Sequence, residues 1–142
     1  MQKLKDGNFL VLRLESGEDL ISSLTRACEE ESINAGFITA GVGMLTEARI
    51  GYYTGERYDQ KTVKGPHELI SMTGSIARAE GKPHLHIHVA LANSTHNVVG
   101  GHLFSATVHV VNEILITTFP GREFHRLQFD QMLKVLDLMP GP

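Results

Sequence analysis

Residues 108–119 restrict the fold most strongly, because nearly all of the side chains in both of their alternating sets are apolar or β-branched. Side chains alternate across a strand, so a strand with this pattern is covered on both faces. One set is Val108, Val110, Ile114, Ile116 and Thr118, and the other is Val111, Leu115, Thr117 and Phe119. We therefore expect a sheet with a helix on one face. A neighbouring subunit, or the tail at residues 123–138, covers the other face.

The rest of the chain predicts one early helix followed by strands. Apolar residues recur at helical spacing in residues 18–31, and the later segments have the alternating or β-branched composition of strands. We expect a turn at Gly41-Val42-Gly43 and a polar loop at 55–66, and we leave the tail unassigned. The predicted strands are residues 8–14, 36–43, 45–54, 67–78, 83–92, 98–103 and 108–119. The fold class is thus α+β, a mainly antiparallel sheet with one early amphipathic helix.

Length and composition indicate one domain over residues 1–142. The 13 basic and 16 acidic side chains leave a net charge of −3, which excludes a polypeptide that coats nucleic acid by charge alone. Its single cysteine, Cys28, allows neither an intrachain disulfide nor a cysteine-based zinc cluster. The sequence shows no signal peptide and no run near the roughly 20 apolar residues of a membrane span. We therefore expect a cytoplasmic protein that is not embedded in a membrane.

Histidines alternate with apolar residues in residues 83–91. His84, His86 and His88 fall on one face of the predicted strand, and the apolar residues between them fall on the other. Neighbouring same-face positions lie roughly 6.6 Å apart, so two such histidines can converge on one ion. The outer two are roughly 13 Å apart and cannot do so. His86 therefore belongs to any metal-binding pair, with either His84 or His88 as its neighbour.

A predicted hairpin adds a third imidazole to this face. His102 follows a loop at residues 93–97, and the hairpin sets its strand beside the histidine strand. Three imidazoles and an open fourth position form the ligand set of a catalytic-type site for zinc or another divalent transition metal. The competing interpretation is a solvated polar face that binds no metal.

The order of several segments resembles the plant-and-prokaryote-conserved (PPC) domain family over nearly the whole chain. These segments are NFLVLRLESGEDL, AGFITAGVGML, GPHELISMTGSIA, PHLHIHVAL, VVGGHLFSATV and NEILI. The His-x-His and the later Gly-Gly-His are the most specific part of the resemblance. It implies a strongly curved, mainly antiparallel sheet, a homotrimer and a bound metal, usually zinc. It also selects His86, His88 and His102 as the ligands and leaves His84 outside the set.

The resemblance is to prokaryotic members that are described as predicted DNA-binding proteins. In plants the domain follows an AT-hook, a short Arg-Gly-Arg-Pro segment that enters the DNA minor groove. The present sequence contains no such segment. The absence of this segment and the net charge of −3 together predict weak, salt-sensitive DNA binding at most.

Two glutamates are candidates for a catalytic role. Glu68 and Glu113 fall on predicted strands at positions where the family commonly has glutamate. A glutamate near a metal can act as a general base or orient a histidine ligand. The alternative is a salt bridge with Arg13 or Arg49.

Three functions are compatible with these features. The first is a metal-binding trimer whose open site binds a small molecule or performs chemistry on it. The second is a DNA-associated regulatory protein, and the third is an assembly module with a structural metal. The open three-histidine set favours the first, and no sequence feature specifies a reaction, so no enzyme class is assigned.

Overall fold

One nine-stranded sheet carries most of the chain in the computed structural model, which describes residues 1–138. Within that range every strand pairing is antiparallel except the parallel contact between β5 and β8. The α+β class is confirmed, and the last four residues of the predicted 1–142 domain lie outside the described residues. The elements are β1 (Gln2–Asp6), β2 (Phe9–Glu15), α1 (Leu20–Glu30), β3 (Gly36–Tyr53), β4 (Tyr58–Val63), β5 (His67–Ala79), β6 (Lys82–Ala92), β7 (Val98–Thr118), β8 (His125–Gln128) and β9 (Lys134–Asp137).

Four strands close the sheet into a ring. β3 pairs with both β5 and β7, and β6 pairs with the same two strands. A sheet that returns to its own first strand must curve, so this pairing accounts for the strong curvature that the resemblance implies. The core includes Ile38, Leu45, Leu69, Met72, Ile76, Ile87, Leu91, Leu103 and Val108.

The single helix packs against β6 and β7. It begins after the N-cap Asp19, whose Oδ1 accepts a hydrogen bond from the Ser22 backbone N–H at 2.8 Å. Its buried face contains Leu20, Leu24, Ala27 and Cys28. Burial raises the pKa of the Cys28 thiol to about 12, so this side chain is a core residue that stays protonated. No helix among residues 1–138 has the length and apolar character to cross a bilayer.

Two pairs of predicted strands are each one continuous strand. β3 runs through the predicted turn at Gly41-Val42-Gly43, and β7 runs through residues 104–107. The turn prediction was wrong because Gly43, at φ 138°, produces a register shift against β7 instead of reversing the chain. Val110, at φ 62°, breaks the alternation of β7 and is 58% exposed, so it does not share the buried face of Val108 as predicted.

Four short strands were absent from the sequence-based assignment. β1 forms a hairpin with β2, β4 lies in the predicted polar loop at 55–66, and β8 and β9 form a hairpin in the tail. Their side chains are mostly exposed, so they carry no strong hydrophobic period. The sheet face that points away from the core, called the outer face, bears Phe9, Val11 and Phe37. The tail covers one end of this outer face, where Phe124 packs edge-on against Phe37. Farther along that face Val11 remains 43% exposed, so the tail is not a complete cover.

Candidate metal centre

The predicted hairpin between β6 and β7 is present and brings the histidines together. His88 pairs directly with His102 across the two strands. The loop between them is closed by Asn93, whose side chain accepts backbone hydrogen bonds from Thr95 and Asn97 at 3.0 Å each. The period-2 pattern of β6 and the hairpin register therefore place His86, His88 and His102 on one face.

The three side chains are close enough to share one ion. One nitrogen from each of His86, His88 and His102 lies within 4.8 Å of the other two. The Nε2 atoms of His86 and His88 are 3.2 Å apart. With Zn–N bonds of about 2.0–2.1 Å, two ligands on a tetrahedral zinc lie roughly 3.3 Å apart, so this separation fits such an ion. The structure thus brings together the ligand set that the resemblance selects.

His84 stays outside the cluster although it shares the strand. It pairs with Ala77 at the far end of β6, and its Nδ1 is buried without a hydrogen-bond partner among residues 1–138. This position agrees with the spacing argument, in which the outer two histidines of the strand cannot meet at one ion. Of the two possible neighbours of His86, the structure therefore groups it with His88.

Two of the clustered imidazoles are neutral at physiological pH. Burial, and then the positive charge of Arg126, lowers the pKa of His86 to about 4. Burial, and then the neighbouring His88, lowers the pKa of His102 to about 4. A neutral imidazole keeps the lone pair that a metal needs, so these two side chains are ready to bind a cation without first losing a proton.

Glycines allow the strands that carry the site to approach one another closely. A Cβ at Gly74 would lie 2.3 Å from the His86 carbonyl oxygen, and one at Gly100 would lie 2.5 Å from that of Val89. A Cβ at Gly101 would lie 2.7 Å from the Gly51 carbonyl oxygen. The paired glycines before His102 therefore serve close backbone approach, which keeps β6 and β7 in contact with their neighbours.

Aromatic and cationic side chains that the sequence did not single out surround the cluster. The Tyr58 and Phe104 rings lie 5.0 and 4.7 Å from the His102 ring, measured between centroids. The tail adds Arg126, whose Nη2 donates a hydrogen bond to Ser75 Oγ, and Lys134, which lines a cavity of about 370 Å³ beside His102. These residues lie in the unassigned tail, in a segment predicted as loop, and between two predicted strands, so no local pattern identified them.

The structure does not bring Glu68 or Glu113 to this cluster. Glu68 is exposed and pairs with Ala92, which lies four residues from His88, or roughly 13 Å along β6. Glu113 is exposed on β7, opposite Arg13 of β2. Arg13 forms its ion pair with Glu15 at 2.8 Å, and Arg49 lies over the Phe104 ring at 5.7 Å from its centroid. Neither arginine therefore forms the expected salt bridge with these glutamates within residues 1–138.

Comparisons with known proteins bear on both the fold and the site. The sequence model of the Plants and Prokaryotes Conserved (PCC) domain matches residues 1–120. A plant- and prokaryote-conserved (PPC) protein from Pyrococcus horikoshii is 31% identical with a TM-score of 0.85, covering 94% of both chains. A candidate DNA-binding protein from Ralstonia eutropha is 30% identical, with a TM-score of 0.86 over 96% of both chains. A metal-containing protein from Archaeoglobus fulgidus is 34% identical, with a TM-score of 0.80 over 92% of this chain and 95% of that one.

The curated relatives are much longer proteins. One is the bifunctional protein GlmU from a Synechococcus strain, 29% identical over 118 residues. The match covers 81% of this chain but only 17% of that protein. The shared region is therefore a small part of GlmU.

Proposed function

Because the chain belongs to the Plants and Prokaryotes Conserved domain family, the family that its sequence resembles, we propose that it is a metal-binding homotrimer with an open zinc site. His86, His88 and His102 hold the ion, and the fourth position serves small-molecule binding or chemistry. The protein is cytoplasmic, where a free thiol such as that of Cys28 stays reduced. One domain covers residues 1–142.

The geometry of the three histidines is the observation that carries this proposal. Their nitrogens lie within 4.8 Å of one another, and two of them are separated by 3.2 Å. Among the described residues no carboxylate or thiol joins this group, so the set has three ligands and not four. Three histidines and an open position are typical of catalytic zinc, whereas structural zinc has four protein ligands. A bound zinc ion would supply a Lewis acid at that position.

The relative from Archaeoglobus fulgidus, which is known as a metal-containing protein, supports the same proposal. Elemental analysis of the protein purified without chelators tests it. We expect about one zinc ion per chain, since three imidazoles bind it in a preformed site. A preparation without stoichiometric divalent metal, even after incubation with zinc, would refute the proposal.

The outer face of the sheet supports the trimer. Phe9 and Val11 of β2 are 51% and 43% exposed, and Phe37 of β3 is 37% exposed on the same face. β7 lies between these strands and contributes Leu115, which pairs with Val11. An apolar face of this kind on a small chain is typical of a surface covered by a second subunit.

Light scattering is expected to give three times the 15.6 kDa chain mass. Val11→Lys places a charge on the outer face, so this variant should have a lower mass at the same concentration. Tyr52→Lys is the matched control, because Tyr52 is 75% exposed on the end of β3 that pairs with β4. A monomeric wild-type protein at micromolar concentration would exclude the trimer.

DNA association is the second candidate function, and the relative from Ralstonia eutropha favours it. The net charge of −3 limits the number of phosphates that the chain can neutralise. We expect a dissociation constant for random duplex weaker than about 1 µM at ~150 mM salt, increasing further with salt. Fluorescence anisotropy at several salt concentrations measures it. Tight, sequence-specific binding at physiological salt would instead establish a regulatory function.

A further inference from the structure

An arginine of the tail lies near the histidine cluster and has no acidic partner among residues 1–138. Arg126 is half-buried on β8. Its Nη2 donates a hydrogen bond to Ser75 Oγ, and its Nη1 donates a long one to the Lys134 carbonyl oxygen at 3.5 Å. Its Nε is buried and has no hydrogen-bond partner within the described part of the chain. No carboxylate of residues 1–138 forms an ion pair with this guanidinium. A half-buried cation without an acidic partner is unusual, because buried charges are normally paired.

Ser75 connects this guanidinium to the cluster. It pairs directly with His86 across β5 and β6, so the two side chains lie on the same face. Directly paired residues have Cβ atoms roughly 4.5–5.5 Å apart. Arg126 therefore stands beside the place where the ion would bind.

Two basic side chains of the tail, Arg126 and Lys134, lie beside the cluster. A divalent ion on three neutral imidazoles keeps both of its charges, and Arg126 adds a third. Lys134 lines the adjacent cavity with its Nζ held by Glu80 at 3.0 Å. Glu80 is 85% exposed, so solvent screens most of its charge. This environment stabilises an anion at the open position of the ion.

An open groove next to His86 and His88 offers room for the body of such a ligand. Its volume is about 430 Å³. The groove is lined by Phe37, Ile38 and Thr39 of β3 and by Thr73 and Ser75 of β5. Ser75 lies at the end nearest Arg126. An apolar body in this groove would place an acidic head group between the ion and the guanidinium.

We propose, on the basis of the proposed metal site, that this centre binds a small organic carboxylate. One carboxylate oxygen occupies the fourth position of the ion, and the Arg126 guanidinium binds the other. The planar fork of arginine matches the two oxygens of a carboxylate, and hydrogen bonds between two charged groups are among the stronger ones. Arg126 is then a ligand-binding residue contributed by the tail, which lies outside residues 1–120 that match the family.

Cobalt(II)-loaded protein tests the proposal, because the visible absorption of bound cobalt responds to a change in its ligands. The protein is titrated with benzoate, a carboxylate with an apolar body, and separately with inorganic phosphate. We expect a saturable spectral change with benzoate and weaker binding of phosphate. Arg126→Gln should raise the dissociation constant for benzoate about tenfold or more, and Arg126→Lys should do so by less, because it retains the charge but loses the fork.

Arg122→Gln is the matched control, since Arg122 is an exposed arginine just before the tail and should leave the benzoate affinity unchanged. Cobalt content and melting temperature of each variant verify that the site and the fold are intact. An unchanged benzoate affinity in Arg126→Gln, no response to benzoate, or tighter Arg126-dependent binding of phosphate would overturn the carboxylate assignment while leaving the metal site in place. Failure of the wild-type protein to bind about one cobalt per chain would instead refute the proposed function itself.

Discussion

Replacing both His86 and His102 by alanine is expected to reduce bound zinc from about one ion per chain to near zero. The double variant leaves only His88 of the three ligands. A single exposed imidazole does not hold zinc against dilution, because zinc sites in proteins use three or four protein ligands. The measurement is elemental analysis after gel filtration, with circular dichroism to verify the strand content.

Two other histidines provide the controls. His96→Asn changes an exposed loop residue at φ 64°, a backbone conformation that asparagine tolerates, and should keep full metal content. His84→Asn removes the third histidine of β6, and it should also keep the metal because His84 lies outside the cluster. Wild-type metal content in the double variant would mean that the ion binds elsewhere. Loss of metal in His84→Asn alone would contradict the choice of His88 as the neighbour of His86.

Replacing Gly43 by alanine is expected to cause the largest loss of stability of any single change considered. Gly43 has φ 138°, a backbone conformation that residues with a Cβ rarely adopt. A Cβ there would lie 2.1 Å from the Val111 carbonyl oxygen and 2.4 Å from the Asn112 side chain. Backbone strain and overpacking each cost about 1–3 kcal/mol, so the free energy of unfolding should fall by roughly 2–6 kcal/mol. Urea denaturation measures the change.

Gly7→Ala is the matched control for this substitution. Gly7 also has a positive φ, 54°, but a Cβ there would meet nothing within 4 Å. Its cost is the left-handed conformation alone, about 1–2 kcal/mol. Equal losses in the two variants would show that the close approach of β3 and β7 at Gly43 contributes nothing.

The histidine site was largely predictable because its geometry is local. Side chains in a strand alternate with a period of two, so the spacing of His86 and His88 alone places them on one face. The short loop at residues 93–97 allowed one simple pairing, the hairpin, which sets His102 opposite His88. The choice between His84 and His88 came from the resemblance, since residue spacing permits either neighbour.

The long strands were not predictable, because a glycine-containing segment has the same local signals in a turn and in a bulged strand. Gly41 and Gly43 favour a turn when the sequence is considered alone. In the structure β7 pairs with β3 on both sides of Gly43, so the hydrogen bonds of the sheet keep the chain extended there. The register of β7 against β3 shifts at this point, between Asn112 and His109, and Val110 in that interval has a positive φ. No local rule predicts a positive φ for a valine.

The sequence by itself determined that one early helix precedes the strands, that the histidines of β6 share a face, and that His102 can meet them there. These properties depend on backbone periodicity over a few residues. Only the tertiary structure decided that the sheet closes through β6, that Glu68 and Glu113 lie away from the cluster, and that Arg126 lies beside it. Such contacts join residues that are far apart in sequence. They are set by the closure of the whole sheet and the return of the tail, and no short segment of the chain encodes them.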